Sequence, residues 1–335
     1  MESAGDRIYA LFDGRKKASL SALSLALLAS QKMVWPQLQA GYDALDSRLE
    51  RRLDAGELAV VLQCNPQRIV STGADIDPGA IQARPCFLCP ANRPAAQQAI
   101  VYHRPFLVLC NPFPIVPRHF TVAHREHRPQ SLHSVLPTFL QLARDFHPDY
   151  AVLYNGPQSG ASAPDHLHLQ VLPTAAIPAL NEGRGNLIKV IEIDGISLFK
   201  KIDGVRTALL VEGTEAKNIV ALIRKLIRAM QSVQPSPTER LASLQQVEPM
   251  LNLFCLYGEG RWRVMLFPRR RHRPDAYYKS GADQLLVSPG AVDMGGLLVL
   301  PRQVDYDRLD AALLMKIFQD VSLDETSIDK IVAAV

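Results

Sequence analysis

The segment Pro164–Gln170 alternates polar and apolar residues and restricts the fold of this chain more than any other stretch. A run rich in glycine, serine and proline precedes it and Pro173 follows it, so the alternation predicts a short, half-buried β-strand. In such a strand His166, His168 and Gln170 share one face, while the two leucines between them point into a core. We therefore expect the polar side chains to line a cleft. For an isolated His-x-His pair, the alternative is two hydrogen-bonded surface histidines.

A Cys-x-x-Cys pair, Cys86 and Cys89, is the second informative feature. Two thiolates at this spacing can bind a tetrahedral zinc ion together with two further ligands from elsewhere in the chain. A redox role is disfavoured, because Pro90 and Asn92 indicate a loop where the redox motif would run into a helix. The five cysteines are an odd number and do not make a secreted disulfide framework, so we expect a reducing, cytoplasmic environment.

Composition narrows the class of ligand. The chain has 335 residues, of which 47% are hydrophobic and 21% charged, as in an ordinary globular protein. Its formal charge of +4 suits an anionic small molecule and falls short of what a dedicated nucleic-acid binder carries. The apolar run from Ala18 to Ser30 is interrupted by serines and has helical spacing, so it predicts an amphipathic helix rather than a signal peptide or membrane span. We expect no nucleic-acid or membrane partner, and the oligomeric state stays open.

Small residues surround the polar strand. Tyr154–Ala163 is a glycine- and serine-rich run whose backbone can approach a ligand closely and offer N–H groups to phosphate oxygens. Together with His166-Leu-His168-Leu-Gln170, this run resembles the histidine-triad superfamily in its transferase and phosphorylase branch. The resemblance implies that His168 attacks the α-phosphorus of a nucleotide and that Gln170 donates its amide to a phosphoryl oxygen. It also implies nucleotide binding by a set of small and amide residues: Asn111, Asn155, Gly160, Ala161 and Ser162.

The resemblance implies a chemical role for Gln170 in the choice between hydrolysis and transfer. The hydrolases of the superfamily place a third histidine where this chain has Gln170. Because a carboxamide does not titrate, it cannot activate water, and a nucleotidyl-histidine intermediate can persist until a better acceptor arrives.

The cysteine pair carries a resemblance of its own. Cys86-Phe-Leu-Cys89-Pro-Ala-Asn-Arg resembles the zinc knuckle of galactose-1-phosphate uridylyltransferases. In that family the remaining ligands are an upstream histidine and the first histidine of the His-x-His pair. The implied structural zinc site is Cys86, Cys89, His127 and His166. His119 and His124 remain alternatives to His127.

The second half of the chain indicates an internal duplication. Its predicted hairpin, Leu251–Pro274, ends in a basic run, and this tail resembles the end of an earlier strand at His124–Pro129. Val287–Pro301 is interpreted as the counterpart of the His-x-His strand, without the histidines. We therefore predict an α+β fold of duplicated histidine-triad halves, with antiparallel sheets and flanking helices. The halves are 1–186, which holds the zinc knuckle and the catalytic motif, and 187–335, which is degenerate.

Several second-half segments resemble GDP-hexose phosphorylases. The segments are Asn252-Leu-Phe, Val264–Pro268, Pro289–Gly296, Asp305-Tyr306 and Val321–Glu325. Asp293 stands where those enzymes are expected to have glutamate. The resemblance implies transfer of a nucleotidyl group, with GMP as first choice, from an NDP-hexose to phosphate through a nucleotidyl-histidine intermediate. The alternatives are a dinucleoside-tetraphosphate phosphorylase (an ATP adenylyltransferase), a hexose-1-phosphate uridylyltransferase and a non-catalytic nucleotide-binding module. The expected partners are thus a nucleotide sugar or dinucleotide, and phosphate.

Two basic segments are assigned no role in binding. Cys64–Ser71 is interpreted as an Asn-Pro turn into a short strand, with Arg68 as a surface cation in preference to a phosphate ligand. Arg269–Arg271 reads as a solvated basic loop in preference to a phosphate site.

Overall fold

The computed structural model describes residues 7–15, 18–73, 78–181, 186–234 and 248–335. The described strands are β1 (Ile8–Phe12), β2 (Leu49–Ala55), β3 (Leu58–Cys64), β4 (Ala99–Tyr102), β5 (Phe106–Cys110), β6 (Phe120–His124), β7 (Tyr150–Asn155), β8 (His168–Pro173), β9 (Leu187–Ile193), β10 (Ile196–Asp203), β11 (Arg206–Gly213), β12 (Leu251–Gly258), β13 (Arg261–Pro268) and β14 (Leu297–Leu300). The described α-helices are α1 (Leu20–Val34), α2 (Pro36–Asp46), α3 (Ile69–Thr72), α4 (Pro78–Ala83), α5 (Leu132–Asp145), α6 (Pro178–Asn181), α7 (Ala216–Val233), α8 (Ala291–Met294), α9 (Gln303–Arg308), α10 (Ala311–Val321) and α11 (Glu325–Ala333). The predicted α+β class is confirmed.

Eleven of these strands form one sheet, in the order β1-β4-β5-β6-β8-β7-β12-β13-β11-β10-β9. Only the β1–β4 pair is parallel among the described strands of this sheet, and every other neighbouring pair is antiparallel. Strands β2, β3 and β14 form a separate small sheet. The duplication is visible in the strand order, because β4-β5-β6-β8-β7 and β9-β10-β11-β13-β12 repeat the same arrangement around the central β7–β12 pair. Asn155 on β7 lies opposite Asn252 on β12 at that centre.

The counterpart of the His-x-His strand in the second half was predicted wrongly. In the repeated order β13 occupies the place of β8, whereas Val287–Pro301 contributes β14 to the small sheet. Met265 and Phe267 of β13 lie in the apolar core on the sheet face where β8 carries His168 and Gln170. The described part of the second half therefore has no histidine pair on this face, as expected. The strand that corresponds to β8 is β13, however, and not Val287–Pro301.

The two largest apolar cores among the described residues lie on the two faces of the large sheet. On one face α1, α2, α5, α7 and α11 pack over the strands, because their apolar residues recur at helical spacing, as do Ile219, Leu222 and Leu226 of α7. On the other face the small sheet and α10 pack around residues such as Phe254 and Phe318. The described helices include none with the length and apolar character needed to cross a bilayer.

The segment after β3 differs from its predicted strand. Asn65 accepts a hydrogen bond from the backbone N–H of Gln67 at 3.2 Å, which caps a 3₁₀ turn at Pro66–Arg68, and α3 follows directly. An Asn-Pro pair begins helical turns as readily as it begins a β-turn, because the proline ring fixes φ at a helical value. The helical path brings Arg68 and Thr72 to the cavity described below.

The boundary predicted between residues 186 and 187 falls beside residues 182–185, which lie outside the described residues. The division into two domains at that point stays a proposal.

Candidate active site and metal centre

His168 begins β8 and lines a cavity of about 110 Å³. Its backbone is held by Gln130, whose Oε1 accepts from the His168 N–H at 2.8 Å and whose Nε2 donates to the carbonyls of His168 and Asn155. Gln170 lines the same cavity two residues further along the strand. His166 precedes the strand and contacts the cysteine pair, so the two histidines serve neighbouring sites rather than a single cleft face.

The tautomer of His168 follows from its hydrogen bond. Nδ1 lies 2.8 Å from the carbonyl oxygen of His166, and a carbonyl can only accept, so Nδ1 carries the proton. Nε2 then has a free lone pair. Burial lowers the pKa of His168 to about 4, which keeps the ring neutral at physiological pH. The side chain has the form that a nucleophile requires.

This assignment can be checked by NMR. We expect the ¹⁵N spectrum of histidine-labelled protein to show His168 as the neutral Nδ1–H tautomer down to about pH 5. Because burial depresses the pKa, the ring gains a second proton only as the pH falls towards about 4. The signal is assigned by its loss in His168→Ala. A ring that titrates near the ordinary histidine value of about 6.5, or that carries its proton on Nε2, contradicts the assignment.

Gln170 is oriented by a second buried histidine. His119 Nε2 lies 2.9 Å from Gln170 Oε1 and 3.2 Å from Asn111 Nδ2, while the Ile115 N–H points at His119 Nδ1 at 3.4 Å. The carboxamide oxygen of Gln170 can only accept, so the shorter contact and the Ile115 N–H together place the proton of the neutral ring on Nε2, which donates to Gln170. Burial lowers the pKa of His119 to about 3, so this donor stays neutral. With Oε1 occupied, the NH₂ end of Gln170 is the end that can meet a phosphoryl oxygen. His119 is therefore a positioning residue and lies apart from the metal cluster.

The second half supports the cavity through a buried polar network. Asn155 Oδ1 accepts from Asn252 Nδ2 at 2.8 Å and from the Ala291 N–H at 2.7 Å, which leaves the Nδ2 end of Asn155 for a ligand. Arg269 is fully buried and donates to Asn252 Oδ1 and to four backbone carbonyls, including that of Pro289. The predicted solvated loop is thus wrong for Arg269, although Arg271 is exposed in part and pairs with Asp275.

The glycine-rich run packs against the second half. Gly160 has φ of +93°, and a Cβ placed there would lie 2.7 Å from the Cα of Gly290. Gly160, Ala161 and Ser162 line the cavity. At Gly160, however, the close approach that requires a glycine is made to the loop before α8.

We expect Gly160→Ala to lower the free energy of unfolding by at least about 2 kcal/mol and to impair activity, because backbone atoms of two segments would have to separate. Gly56→Ala is the matched control, since Gly56 has φ of +67° and open space around it. That control isolates the cost of the left-handed backbone, about 1 kcal/mol. Equal losses in chemical denaturation of the two variants would show that the Gly160–Gly290 contact has no special role.

Basic and polar residues from distant segments complete the cavity wall, and sequence reasoning assigned them no site role. They are Arg68 and Thr72 from the segment after β3, and His272, Arg273 and Ser288 from the second half. Asp293 is the one carboxylate among the described lining residues, and burial raises its pKa to about 6. The cationic excess suits a ligand with several phosphate charges.

The four predicted metal ligands lie together. One donor atom from each of Cys86, Cys89, His127 and His166 falls within 4.8 Å of the other three. Cys86 Sγ is 3.3 Å from His166 Nδ1, and Cys89 Sγ is 3.2 Å from His127 Nδ1. Bonds of about 2.0 Å to nitrogen and 2.3 Å to sulfur place tetrahedral ligands at about such separations. The set could therefore hold a metal ion, and its chemistry fits zinc.

Polar groups outside the cluster lie against both of its imidazoles. His166 Nε2 lies 2.7 Å from the His124 carbonyl oxygen and so donates to it, which leaves the Nδ1 lone pair for a metal. His127 Nε2 is 3.7 Å from Asp165, whose carboxylate also pairs with Arg84. His124, the other alternative ligand, directs Nδ1 to the backbone of Glu126. The donor geometry favours His127 over both alternatives.

His166 joins the two sites. Its imidazole belongs to the metal cluster, and its carbonyl oxygen holds the proton of His168 Nδ1. Arg84 adds a second connection, because its guanidinium donates to the carbonyl of Ser162 as well as to Asp165. A metal ion at the cluster would fix the loop that orients His168.

Two family models match separate parts of the chain. A domain of unknown function (DUF4922) matches residues 27–173, which contain the cysteine pair, His168 and Gln170. A model described as GDPGP1-like, C-terminal domain, matches residues 218–335, which contain Asn252 and Arg269. No match was found among curated proteins.

Two solved structures of a yeast enzyme are similar to this chain. The crystal structure of yeast Ap4A phosphorylase Apa2 covers 87% of this chain and 94% of its own, with a TM-score of 0.52 and 15% sequence identity. The same yeast enzyme in complex with AMP covers 89% of this chain and 96% of its own, with a TM-score of 0.49 and 14% identity. The chain thus shares the fold of the yeast phosphorylase, and its residues 218–335 match a GDPGP1-like C-terminal domain.

Proposed function

We propose that this protein transfers a nucleotidyl group from a nucleotide anhydride to phosphate through a nucleotidyl-histidine intermediate. One observation carries the proposal. A buried, neutral imidazole, His168, has a free Nε2 in a cavity that is also lined by arginine and carboxamide side chains suited to phosphate. The GDPGP1-like domain match and the fold of the yeast phosphorylase support the same class of reaction.

In the first step the Nε2 lone pair of His168 attacks the α-phosphorus of the donor. A P–N bond forms, the P–O bond to the leaving group breaks, and hexose 1-phosphate departs as a dianion. The imidazole becomes positively charged, and the carbonyl of His166 accepting from Nδ1 stabilises that charge. Gln170 donates its NH₂ group to a phosphoryl oxygen, a type of contact that commonly contributes about 10²- to 10³-fold to the rate.

In the second step a phosphate oxygen attacks the same phosphorus. The P–N bond breaks, its electron pair returns to Nε2, and the neutral histidine is restored with a nucleoside diphosphate as product. Gln170 cannot remove a proton from water, and its partner His119 has a pKa of about 3 and donates rather than accepts. Transfer is therefore favoured over hydrolysis.

Zinc at Cys86, Cys89, His127 and His166 is proposed as structural, because four protein ligands leave no open position. When bound, it holds the loop that presents the His166 carbonyl to His168.

The proposed donor is a GDP-hexose, since the GDPGP1-like match covers residues 218–335, including the Asn252 and Arg269 that support the cavity. A dinucleoside tetraphosphate is the second candidate, favoured by the fold of yeast Ap4A phosphorylase.

Product analysis tests these assignments. The protein is incubated with phosphate and one donor at a time, from a panel of GDP-glucose, GDP-mannose, GDP-galactose, UDP-hexoses and diadenosine tetraphosphate. The expected result is phosphate-dependent formation of GDP and hexose 1-phosphate. ADP and ATP from the tetraphosphate would select the second candidate. Transfer of the nucleotidyl group from His168 only when a hexose phosphate is the acceptor would indicate a uridylyltransferase. Nucleotide binding without product from any donor would indicate a binding module.

A further inference from the structure

We propose that His272 and Arg273 of the second half, together with Arg68, form the subsite for the phosphate group exchanged opposite His168. The inference rests on the proposed function and names the residues that select an oxyanion as acceptor. All three side chains line the same cavity as His168 and Gln170.

A hydrogen-bonded chain sets the orientation of His272. Arg273 Nε donates to Ser288 Oγ at 3.0 Å, and Ser288 Oγ lies 3.1 Å from His272 Nε2. A guanidinium only donates, so the serine accepts from Arg273 and has its own proton to donate to His272 Nε2. The proton of the neutral ring then lies on Nδ1. This buried N–H has no hydrogen-bond partner among the described residues.

A buried donor without an acceptor destabilises the folded protein, because the N–H has lost its hydrogen bond to water, and it indicates a missing acceptor. A phosphate oxygen supplies one. Burial and the neighbouring arginines lower the pKa of His272 to about 3, so it acts as a neutral donor and does not repel Arg273.

Several contacts fix the position of the Arg273 guanidinium. Its Nη2 donates to the Thr72 carbonyl at 3.2 Å, and its guanidinium lies 4.1 Å from the ring centre of Tyr277. Arg68, in the same turn-and-helix segment as Thr72, adds a second cation to this wall. Asp293 is the one carboxylate among the described lining residues, so the wall favours a dianion over water or an alcohol.

The two steps use one phosphate subsite in turn: it holds the leaving phosphate group in the first step and the acceptor phosphate in the second. His168 displaces the leaving phosphate in line, and the acceptor then displaces His168 in line, so both occupy the position opposite Nε2. In the second step HPO₄²⁻ forms the P–O bond, the P–N bond breaks and its electron pair returns to Nε2. The acceptor's proton stays on the terminal phosphate of the diphosphate product and later exchanges with solvent.

The test compares Arg273→Gln with Arg271→Gln, an arginine two residues away that pairs with Asp275 outside the cavity wall. Each protein is loaded with nucleotide in the absence of phosphate, and the adduct is followed by intact mass as phosphate is added. For Arg273→Gln we expect discharge by subsaturating phosphate to slow by on the order of 10- to 100-fold, the loss of a charge-assisted hydrogen bond. Slow discharge by water should change less than about threefold. His272→Gln should act in the same direction.

The variant Arg273→Lys separates an effect of charge from a structural effect, because lysine keeps the positive charge and loses the Nε contact with Ser288. Partial recovery of phosphate discharge supports the subsite. Equal slowing of discharge by water and by phosphate, or equal behaviour of Arg273→Gln and Arg271→Gln, overturns it.

A binding measurement separates this inference from the proposed function. Inorganic phosphate is titrated into unmodified protein by calorimetry. Phosphate binding that is lost in Arg273→Gln and kept in Arg271→Gln supports the subsite even if no donor forms an adduct. No binding to the wild type at millimolar phosphate overturns the subsite even if an adduct forms.

Discussion

Replacing His168 by alanine is expected to lower kcat at least about 10⁴-fold while the protein remains folded. Removal of a covalent nucleophile costs factors of this size, because no other group can form the intermediate. The fold should survive, since the strand is held through backbone contacts with Gln130 that alanine retains. The imidazole also lines a cavity, so its loss leaves no new void in a closed core. The measurements are steady-state kinetics and thermal unfolding of the purified variant.

His133→Ala is the matched control for that variant. His133 lies on the first turn of α5 and is exposed, so both kcat and the melting temperature should stay near the wild-type values. Retention of more than about one per cent of the activity by His168→Ala, with normal folding, would remove this residue from the role of nucleophile.

Loss of one cysteine ligand is expected to empty the metal centre. The wild-type protein should carry about one zinc per chain, and Cys86→Ser should carry almost none. Structural zinc contributes folding free energy outright, so the melting temperature should fall by on the order of 10 °C. Activity should fall as well, because the His166 carbonyl that orients His168 is part of the loop that the metal fixes. Metal content is measured by mass spectrometry and stability by calorimetry.

Cys64→Ala is the control for metal content. Cys64 is buried at the end of β3 and does not belong to the cluster, so this variant should lose some stability but no zinc. Undiminished zinc in Cys86→Ser, or a metal-free wild type that melts at the normal temperature, would contradict the structural role.

The local features of the site could be predicted from the sequence because each depends on neighbours in the chain. Period-two alternation placed His168 and Gln170 on one strand face, and the Cys-x-x-Cys spacing pointed to two members of the cluster that could hold a metal ion. The other half, His127 and His166, came from resemblance to a known family. The geometric cluster of these four residues is what the sequence led us to expect.

Long-range relationships were harder to predict, because they depend on pairings that no local pattern specifies. The strand of the second half that corresponds to β8 was misassigned. Val287–Pro301 is apolar enough to be a buried strand, but β13 takes the position beside β12 that β8 has beside β7. Arg269 in a basic run looks solvated, yet it becomes the centre of a buried network once Asn252 and Pro289 lie beside it. His272 and Arg273 had no local signal that pointed towards His168.

The intact mass of the protein after mixing with donor, in the absence of phosphate, tests the central claim most directly. We predict an added mass equal to one nucleotidyl group, guanylyl if the donor is a GDP-hexose, located on His168 by peptide mapping and absent from His168→Ala. Subsequent phosphate should restore the unmodified mass and release a nucleoside diphosphate. A wild-type protein that turns over a donor without ever carrying this mass, or that carries it on a residue other than His168, would contradict the account.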